Sequence, residues 1–382
     1  MCIIIRKVES SDRISGLPDH ILVEILSLLP LKSAVSTAVL SRQWRWLWTQ
    51  LPSIHFSIDD TDFCNRKDEF YCRIHNLLPK FTLPSIRRFS LDLGFYCTGE
   101  HRLFPYPDNN YSHILSCFDW VSVHNKGLQE LRFNIQGDGH GLPFPDPPLR
   151  IFQIPSLVLL ELRPWFLVHH DVHEYTNALF NLPNLKKIVV ELHSWNPQLL
   201  EKLVSSCPCL EDLFFELCHP TRIRVDGDKY TTLNLSSHSL KLLDMKLNYP
   251  TLLSLNTPNL EYLSIHIDCF DRTLPNRVSF VNARPSLLAC SFTALTDKLY
   301  GMFLPSNIST VISNVVTLTL NDMKPNPVIA PVTFTCVKRL KLEFSHIYIS
   351  RAGYTVSMPG LGGPRFGHDR LYKFFPRHLD TA

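Results

Sequence analysis

Nowhere in these 382 residues does an uninterrupted apolar run reach the length of a bilayer crossing, which takes roughly 20 residues in a helix. Residues 2–5 are apolar, but Arg6 and Lys7 follow at once, leaving too little for the core of a secretory signal. The chain is therefore expected to be soluble and unsecreted, in the cytoplasm and/or nucleus, and the sequons at Asn110, Asn234 and Asn307 are chance matches. An excess of charge of one sign is also missing. With 38 basic against 35 acidic residues and a net charge of +3, no general field favours a nucleic acid or an anionic membrane as partner. A paired cysteine framework is lacking too, because the eleven cysteines are odd in number and scattered, mostly in apolar surroundings. They read as reduced intracellular thiols.

The sequence is equally poor in catalytic constellations. His169, His170, His173 and Glu174 include a pair at helical spacing, but the order HHDVHE is not HExxH and no third ligand is evident, so no metal is expected. Cys207 and Cys209 are one residue apart, which fits neither redox nor zinc spacing. Gly360, Gly362 and Gly363 lack the strand before and the helix after that a phosphate loop requires. The acidic residues Asp59, Asp60, Asp62, Asp68 and Glu69 lie in a polar stretch, 52–83, read as a solvated linker. No nucleophile, base and orienting group can be assembled, so no catalytic residue, no cofactor and no enzyme activity are expected.

What is present begins with a short helical segment. In GLPDHILVEILSLLP, residues 16–30, Ile21, Leu22, Ile25, Leu26 and Leu29 form one apolar stripe at three- and four-residue spacing. Pro18 suits a first helical position, Asp19 the positive end of the helix dipole, and Pro30 stops the run. After the small-residue run KSAVSTAVL, Ser41 is placed to cap a last helix carrying Trp44, Leu47, Trp48 and Leu51 on one face. So small a unit cannot bury all this surface alone, and a partner is expected to cover part of it.

Residues 12–48, DRISGLPDHILVEILSLLPLKSAVSTAVLSRQWRWLW, closely resemble the F-box of plant F-box/leucine-rich-repeat proteins, the F-box/FBD/LRR type. The resemblance implies a three-helix F-box over residues 12–51 that docks on a Skp-type adaptor and, through it, on a cullin-RING ubiquitin ligase. Carried over by position, it implicates Leu17, Pro18, Ile21, Leu22, Ile25, Leu26, Leu29, Pro30, Val39, Leu40, Ser41, Trp44, Leu47 and Trp48 in adaptor binding.

From residue 84 a repeat of the form leucine, two residues, leucine, one residue, apolar residue recurs ten times, from Ile86, Phe89, Leu91 to Val337, Leu340, Leu342. After a first interval of 42 residues the starts lie 20 to 30 apart, the range of leucine-rich repeats. Pro84, Pro155, Pro183, Pro208, Pro258 and Pro285 each stand two residues before a leading apolar position, where a missing N–H does no harm to the strand behind it. One helical return is legible, with Asn196 and Pro197 at its start and Leu199, Leu200, Leu203 and Val204 along it. The expected fold is therefore α/β: an N-terminal F-box followed, over 84–350, by a leucine-rich-repeat solenoid, a curved horseshoe with parallel strands. The phrase SSCPCLEDL again resembles repeats of this family, although the Asn or Cys expected three residues after a strand occurs only at Cys218 and Asn248. Repeats elsewhere are expected to be irregular, with the backbone-satisfying ladder incomplete.

Alternation along each strand sends the triplets inward and leaves a concave face for a protein target. Its candidate target-binding residues are Arg132, Arg163, Lys187, Asp212, Phe214, Glu216, Tyr262 and His266. Mixed charge with a few aromatics suits a protein or peptide better than a phosphate backbone. Residues 351–382 hold five of the fourteen glycines and no further triplet. They are expected to be loosely ordered, without a clear C-terminal FBD module, as in a truncated or alternatively spliced member. The expected function is that of a substrate receptor in a ubiquitin ligase. The alternative is a leucine-rich scaffold whose helical N-terminus is only a cap.

Overall fold

The computed structural model describes residues 14, 16–60, 63–81, 86–95, 111–123, 127–137, 148–165, 179–192, 197–217, 231–247, 251–267, 277–281, 287–294, 302–303, 315–321, 323–324 and 338–343. The chain divides into two compact units, Met1–Asp138 and Gly139–Ala382.

The first unit opens with α1 (Asp19–Ser27), α2 (Leu31–Ser36), a single turn at Thr37–Val39 and a 3-10 segment at Trp44–Gln50. Pro18 is the N-cap of α1 rather than its first residue, and its carbonyl accepts the N–H groups of Ile21 and Leu22 at 3.0 and 3.2 Å. Ser41 does not cap the last segment, which starts after Gln43 and is wound as a 3-10 rather than an α-helix. The local chemistry explains the tighter winding. The Trp48 indole donates to the Arg45 carbonyl at 3.1 Å and the Thr49 hydroxyl to the Trp46 carbonyl at 2.7 Å, so side chains three residues on take acceptors that α-helical N–H groups would otherwise use. Gln43 ties this segment to the start of α1, donating to the Leu17 carbonyl and the Asp19 carboxylate at 3.3 and 3.0 Å. The module thus consists of two α-helices and a 3-10 segment, closed around Leu22, Leu26, Ala34, Trp44, Leu47 and Trp48.

The stretch 52–83 is not a linker. It carries β1 (Ser53–Asp60) and α3 (Phe63–Leu77), and β1 pairs in parallel with β2 (Arg88–Phe95), which pairs in parallel with β3 (Glu130–Gly137). The reason lies in Leu51, Ile54 and Phe56, which repeat the spacing of the later triplets and are all buried. Helix α4 (Tyr111–Val123) returns the chain, and Gly127, at φ 91°, makes the left-handed turn into β3 that a Cβ would resist. Phe118 of α4 stacks on Phe133 at 3.9 Å between ring centroids, and Phe133 meets Phe89 at 5.7 Å.

The second unit is built the same way. Its strands are β4 (Leu159–Trp165), β5 (Lys187–Leu192), β6 (Asp212–Leu217), β7 (Thr231–Ser236), β8 (Leu242–Leu247), β9 (Thr251–Asn256), β10 (Tyr262–Ile267), β11 (Arg277–Phe280), β12 (Ala289–Ala294), β13 (Met302–Phe303), β14 (Thr317–Asn321), β15 (Met323–Lys324) and β16 (Arg339–Glu343). Within this unit the main sheet runs β4-β5-β6-β8-β10-β12-β14-β16, every described pair parallel, and a separate sheet runs β11-β9-β7. Helix α5 (Pro197–Ser205) begins at Pro197 as expected and buries Leu199, Leu200, Leu203 and Val204. The leading and middle residues of the triplets from Leu157 through Leu318 are buried throughout.

Register is fixed where each strand begins. Two successive N–H groups converge on one carbonyl of the preceding repeat: Lys241 and Leu242 on Glu211, Glu261 and Tyr262 on Lys241, Leu288 and Ala289 on Glu261. A one-residue slip would break both bonds and turn every triplet outward. Side chains strengthen the same edge, since Asn184 donates to the Pro155 carbonyl at 2.9 Å, Asn259 to the His238 carbonyl at 2.6 Å and Ser239 to the Leu210 carbonyl at 2.7 Å. The ladder sought after the strands, at Cys218 and Asn248, falls outside the described residues, whereas this one stands before them. Asn259→Ala should cost about 1 kcal/mol, the net value of one such bond, read as a small downward shift of the thermal midpoint. No shift would mean that the backbone pairs alone hold the edge.

Candidate functional site

Two surfaces gather chemistry beyond what the core needs. The first lies on the N-terminal module. Of the fourteen residues implicated there, Leu22, Leu26, Trp44, Leu47 and Trp48 are buried, Leu17 and Ile21 half-buried, and Pro18, Ile25, Leu29, Pro30, Val39, Leu40 and Ser41 exposed. The buried five support the module from within. Leu40 is 66% exposed and Val39 87%, with Leu28 and Trp46, which sequence reasoning passed over, also open to solvent. The signal for Leu28 was its place beside Leu29 at the end of α1. The signal for Trp46 was a third tryptophan off the face shared by Trp44 and Trp48. So much exposed apolar surface on a unit this small is the physical mark of an interface.

The second surface is the outward face of the main sheet in the second unit, where Lys187, Asp212, Phe214, Glu216, Tyr262 and His266 all stand, with Arg163 in β4. Arg163 lies over the Phe214 ring at 4.9 Å and pairs with Glu161 at 2.9 Å. Lys187 faces Asp212 at 3.8 Å, Lys246 pairs with Glu216, and His266 approaches Asp244 at 3.3 Å. Pairs this accessible contribute about 0–1 kcal/mol each, so they orient side chains more than they stabilise the sheet. Arg132 belongs to the first unit, on β3, where it pairs with Glu130 at 3.1 Å. Val189, Leu242 and Leu288 were missed on the second unit's strands, and the doubled leucines of KLLDM and SLLAC were the available signal for the last two.

Ser264, His266 and Asp244 meet on this face, a set of residue types able to do nucleophilic catalysis, yet the geometry does not support a relay. Ser264 Oγ lies 3.0 Å and Asp244 Oδ1 3.3 Å from the same imidazole atom, Nε2. A hydroxyl-activating histidine needs its carboxylate on the other nitrogen. Among the described residues no group of three or more His, Cys, Asp or Glu is placed to hold a metal. His169, His170, His173 and Glu174 lie outside the described residues, as do Gly360, Gly362 and Gly363.

The described thiols are free, and their reactivity should divide by burial. Burial pushes the Cys117 and Cys207 thiols up to about 12 and Cys290 higher still, so at neutral pH almost no thiolate forms at these three. Alkylation of the folded chain followed by mass spectrometry should label the exposed Cys72 and Cys209 first and spare the other three until denaturant is added. Early labelling of Cys207 would contradict the packing of the turn after α5.

Comparison with known proteins agrees with this geometry. Residues 14–55 match the F-box domain, and residues 119–321, more than half of the chain, match the LRR repeats of the FBD-associated F-box protein At5g56370. Among Arabidopsis thaliana proteins, the chain is 31% identical over 265 residues to the F-box/LRR-repeat protein At1g55660, covering 66% of this chain and 64% of that one. It is 29% identical over 282 residues to the FBD-associated F-box protein At5g27750, covering 68% and 55%. The chain therefore belongs to the plant F-box/leucine-rich-repeat family. It spans less than two thirds of the length of these curated relatives. Members of this family are generally non-catalytic adaptors.

Proposed function

We propose that this chain is the substrate-recognition subunit of a Skp-cullin-F-box type ubiquitin ligase. The F-box docks on the Skp-type adaptor, and the repeats hold a target protein. The observation that carries this reading is the exposed apolar set Ile25, Leu28, Leu29, Val39 and Leu40 on a module whose own core is already closed. The short parallel strands, with inward triplets and alternating outward charge, support winding into a leucine-rich horseshoe whose strand face meets the target. The chain then contributes proximity and orientation, and the bond-making groups belong to its partners. Work of this kind places it in the cytoplasm and/or nucleus.

The test is co-purification with a Skp-type adaptor, comparing wild type with the variant Leu17→Ala, Pro18→Ala. Capture by the wild type and its loss in the variant support the receptor reading. A folded wild type that captures no adaptor would sink it, leaving a leucine-rich scaffold without a ligase role.

A further inference from the structure

One part of the sheet face departs from the rest. At the first position of successive strands the chain places Lys187 and Asp212, then Leu242 and Tyr262. One residue earlier it places Lys186, Glu211, Lys241 and Glu261, then Leu288. Leu242 and Tyr262 are register partners on β8 and β10, and Leu288 immediately precedes Ala289, the partner of Tyr262 on β12. Leu242 is 37% exposed, and Tyr262 and Leu288 are 45% exposed. Scattered surface leucines need no explanation. Two large apolar side chains on adjacent strands and a third just before the next strand, at positions that carry charge on neighbouring strands, form a patch.

The charges around the patch are of both signs and mostly matched, Lys187 with Asp212 at 3.8 Å and Lys241 with Glu211 at 3.5 Å. Glu261 adjoins Tyr262 in the chain, and its backbone carbonyl accepts the Leu288 N–H at 2.8 Å, so its backbone links the two apolar residues. Among the described residues it has no ion-pair partner, whereas Asp212 and Asp244 on the flanking positions face Lys187 and His266. An apolar strip beside an unpaired carboxylate is complementary to an apolar side chain next to a cation, and the Tyr262 ring offers that cation a second attraction.

We infer that Leu242, Tyr262 and Leu288, with Glu261, form the anchoring subsite for an extended segment of a target protein in which an aliphatic or aromatic residue adjoins Lys or Arg. This rests on the substrate-receptor reading and specifies its partner. The probe is a panel of short fluorescein-labelled Gly/Ser peptides carrying a central Phe-Leu or Ser-Ser pair flanked by Arg, Ser or Glu, titrated against the full chain by anisotropy. The Arg-flanked Phe-Leu peptide should bind at least roughly tenfold more tightly than the others. Tyr262→Ala and Leu288→Ser should each weaken it by about tenfold without moving the thermal midpoint, and Glu261→Arg should transfer the preference to the Glu-flanked peptide.

Three results would overturn the inference. They are no selective binding by the folded chain, binding indifferent to the strip variants, and a wild-type dimer that Leu288→Ser converts to monomer, which would make a second copy the occupant. Adaptor capture on the same preparations separates the two readings. Adaptor binding with no peptide selectivity sinks only the subsite, and selective peptide binding with no adaptor capture sinks only the ligase role.

Discussion

Replacing Val39 and Leu40 together by Glu should abolish capture of a Skp-type adaptor, weakening it by at least roughly a hundredfold, while the chain stays folded. Both side chains stand in solvent, 87% and 66% exposed, so they make little of the module's own core. Substitution of such residues ordinarily changes stability by no more than about 0.5 kcal/mol. An interface that buries them loses two apolar anchors and must desolvate two carboxylates instead, and individual anchors of that kind are worth about 2 kcal/mol or more. Leu26→Ala is the instructive contrast. Leu26 is fully buried in the core of the same module, so its truncation should cost about 2–5 kcal/mol of folding stability and lose adaptor binding only because the module loosens. The decisive comparison is binding against thermal midpoint for the two variants. A Val39→Glu, Leu40→Glu chain that melts normally and still captures the adaptor would show that the exposed set is not the docking face.

The inward half of the fold was legible because a single physical rule wrote it. Each strand must bury one face, and the spacing of Leu213 and Phe215 after Leu210, or of Leu263 and Ile265 after Leu260, is what a short strand entered through a tight turn produces. The same rule extended one strand earlier than expected, to Leu51, Ile54 and Phe56. It was hidden because Leu51 also completes the apolar face of the preceding 3-10 segment. The sheet β11-β9-β7 was not legible for a related reason. Its strands carry only short alternations such as TTLNLS, without the leading residue that marks the main sheet. The helix expected at Trp44–Gln50 is present but wound as a 3-10 helix, because an indole and a hydroxyl compete for carbonyls that periodicity does not see.

The outward half was harder to read, since nothing in a strand's outward positions must be apolar or charged for the fold to form. Sequence register put Asp212, Phe214, Glu216 and Tyr262 on one face correctly. It could not show that Arg163 lies on Phe214, or that most of the face's charges are already paired across strands. Among the described residues Glu261 has no such pair, and that is a property of neighbours brought together by the sheet. The N-terminal module's residues divide along the same line, with the stripe on α1 visible from spacing and the sorting of Leu26 from Leu29 visible only in the packing.

The largest loss of stability from a single truncation among these residues is expected at Phe133. Its ring is buried, stacked on Phe118 at 3.9 Å and set against Phe89 at 5.7 Å, so it joins α4 to β2 and β3 in one contact. Phe133→Ala removes the burial of a full aromatic side chain and leaves a void between helix and sheet, which costs about 3–5 kcal/mol. The stacked geometry adds about 0.5–1.5 kcal/mol beyond area alone. In a unit of this size each kcal/mol lowers the thermal midpoint by roughly 2–4 °C, so a fall of about 10 °C or more is expected. Phe133→Leu, which refills most of the space, should recover more than half of it. The exposed Leu288→Ser serves as the neutral reference. If Phe133→Ala melts within about 3 °C of wild type, α4 does not pack on the sheet through this ring, and the aromatic cluster is not what closes the first unit.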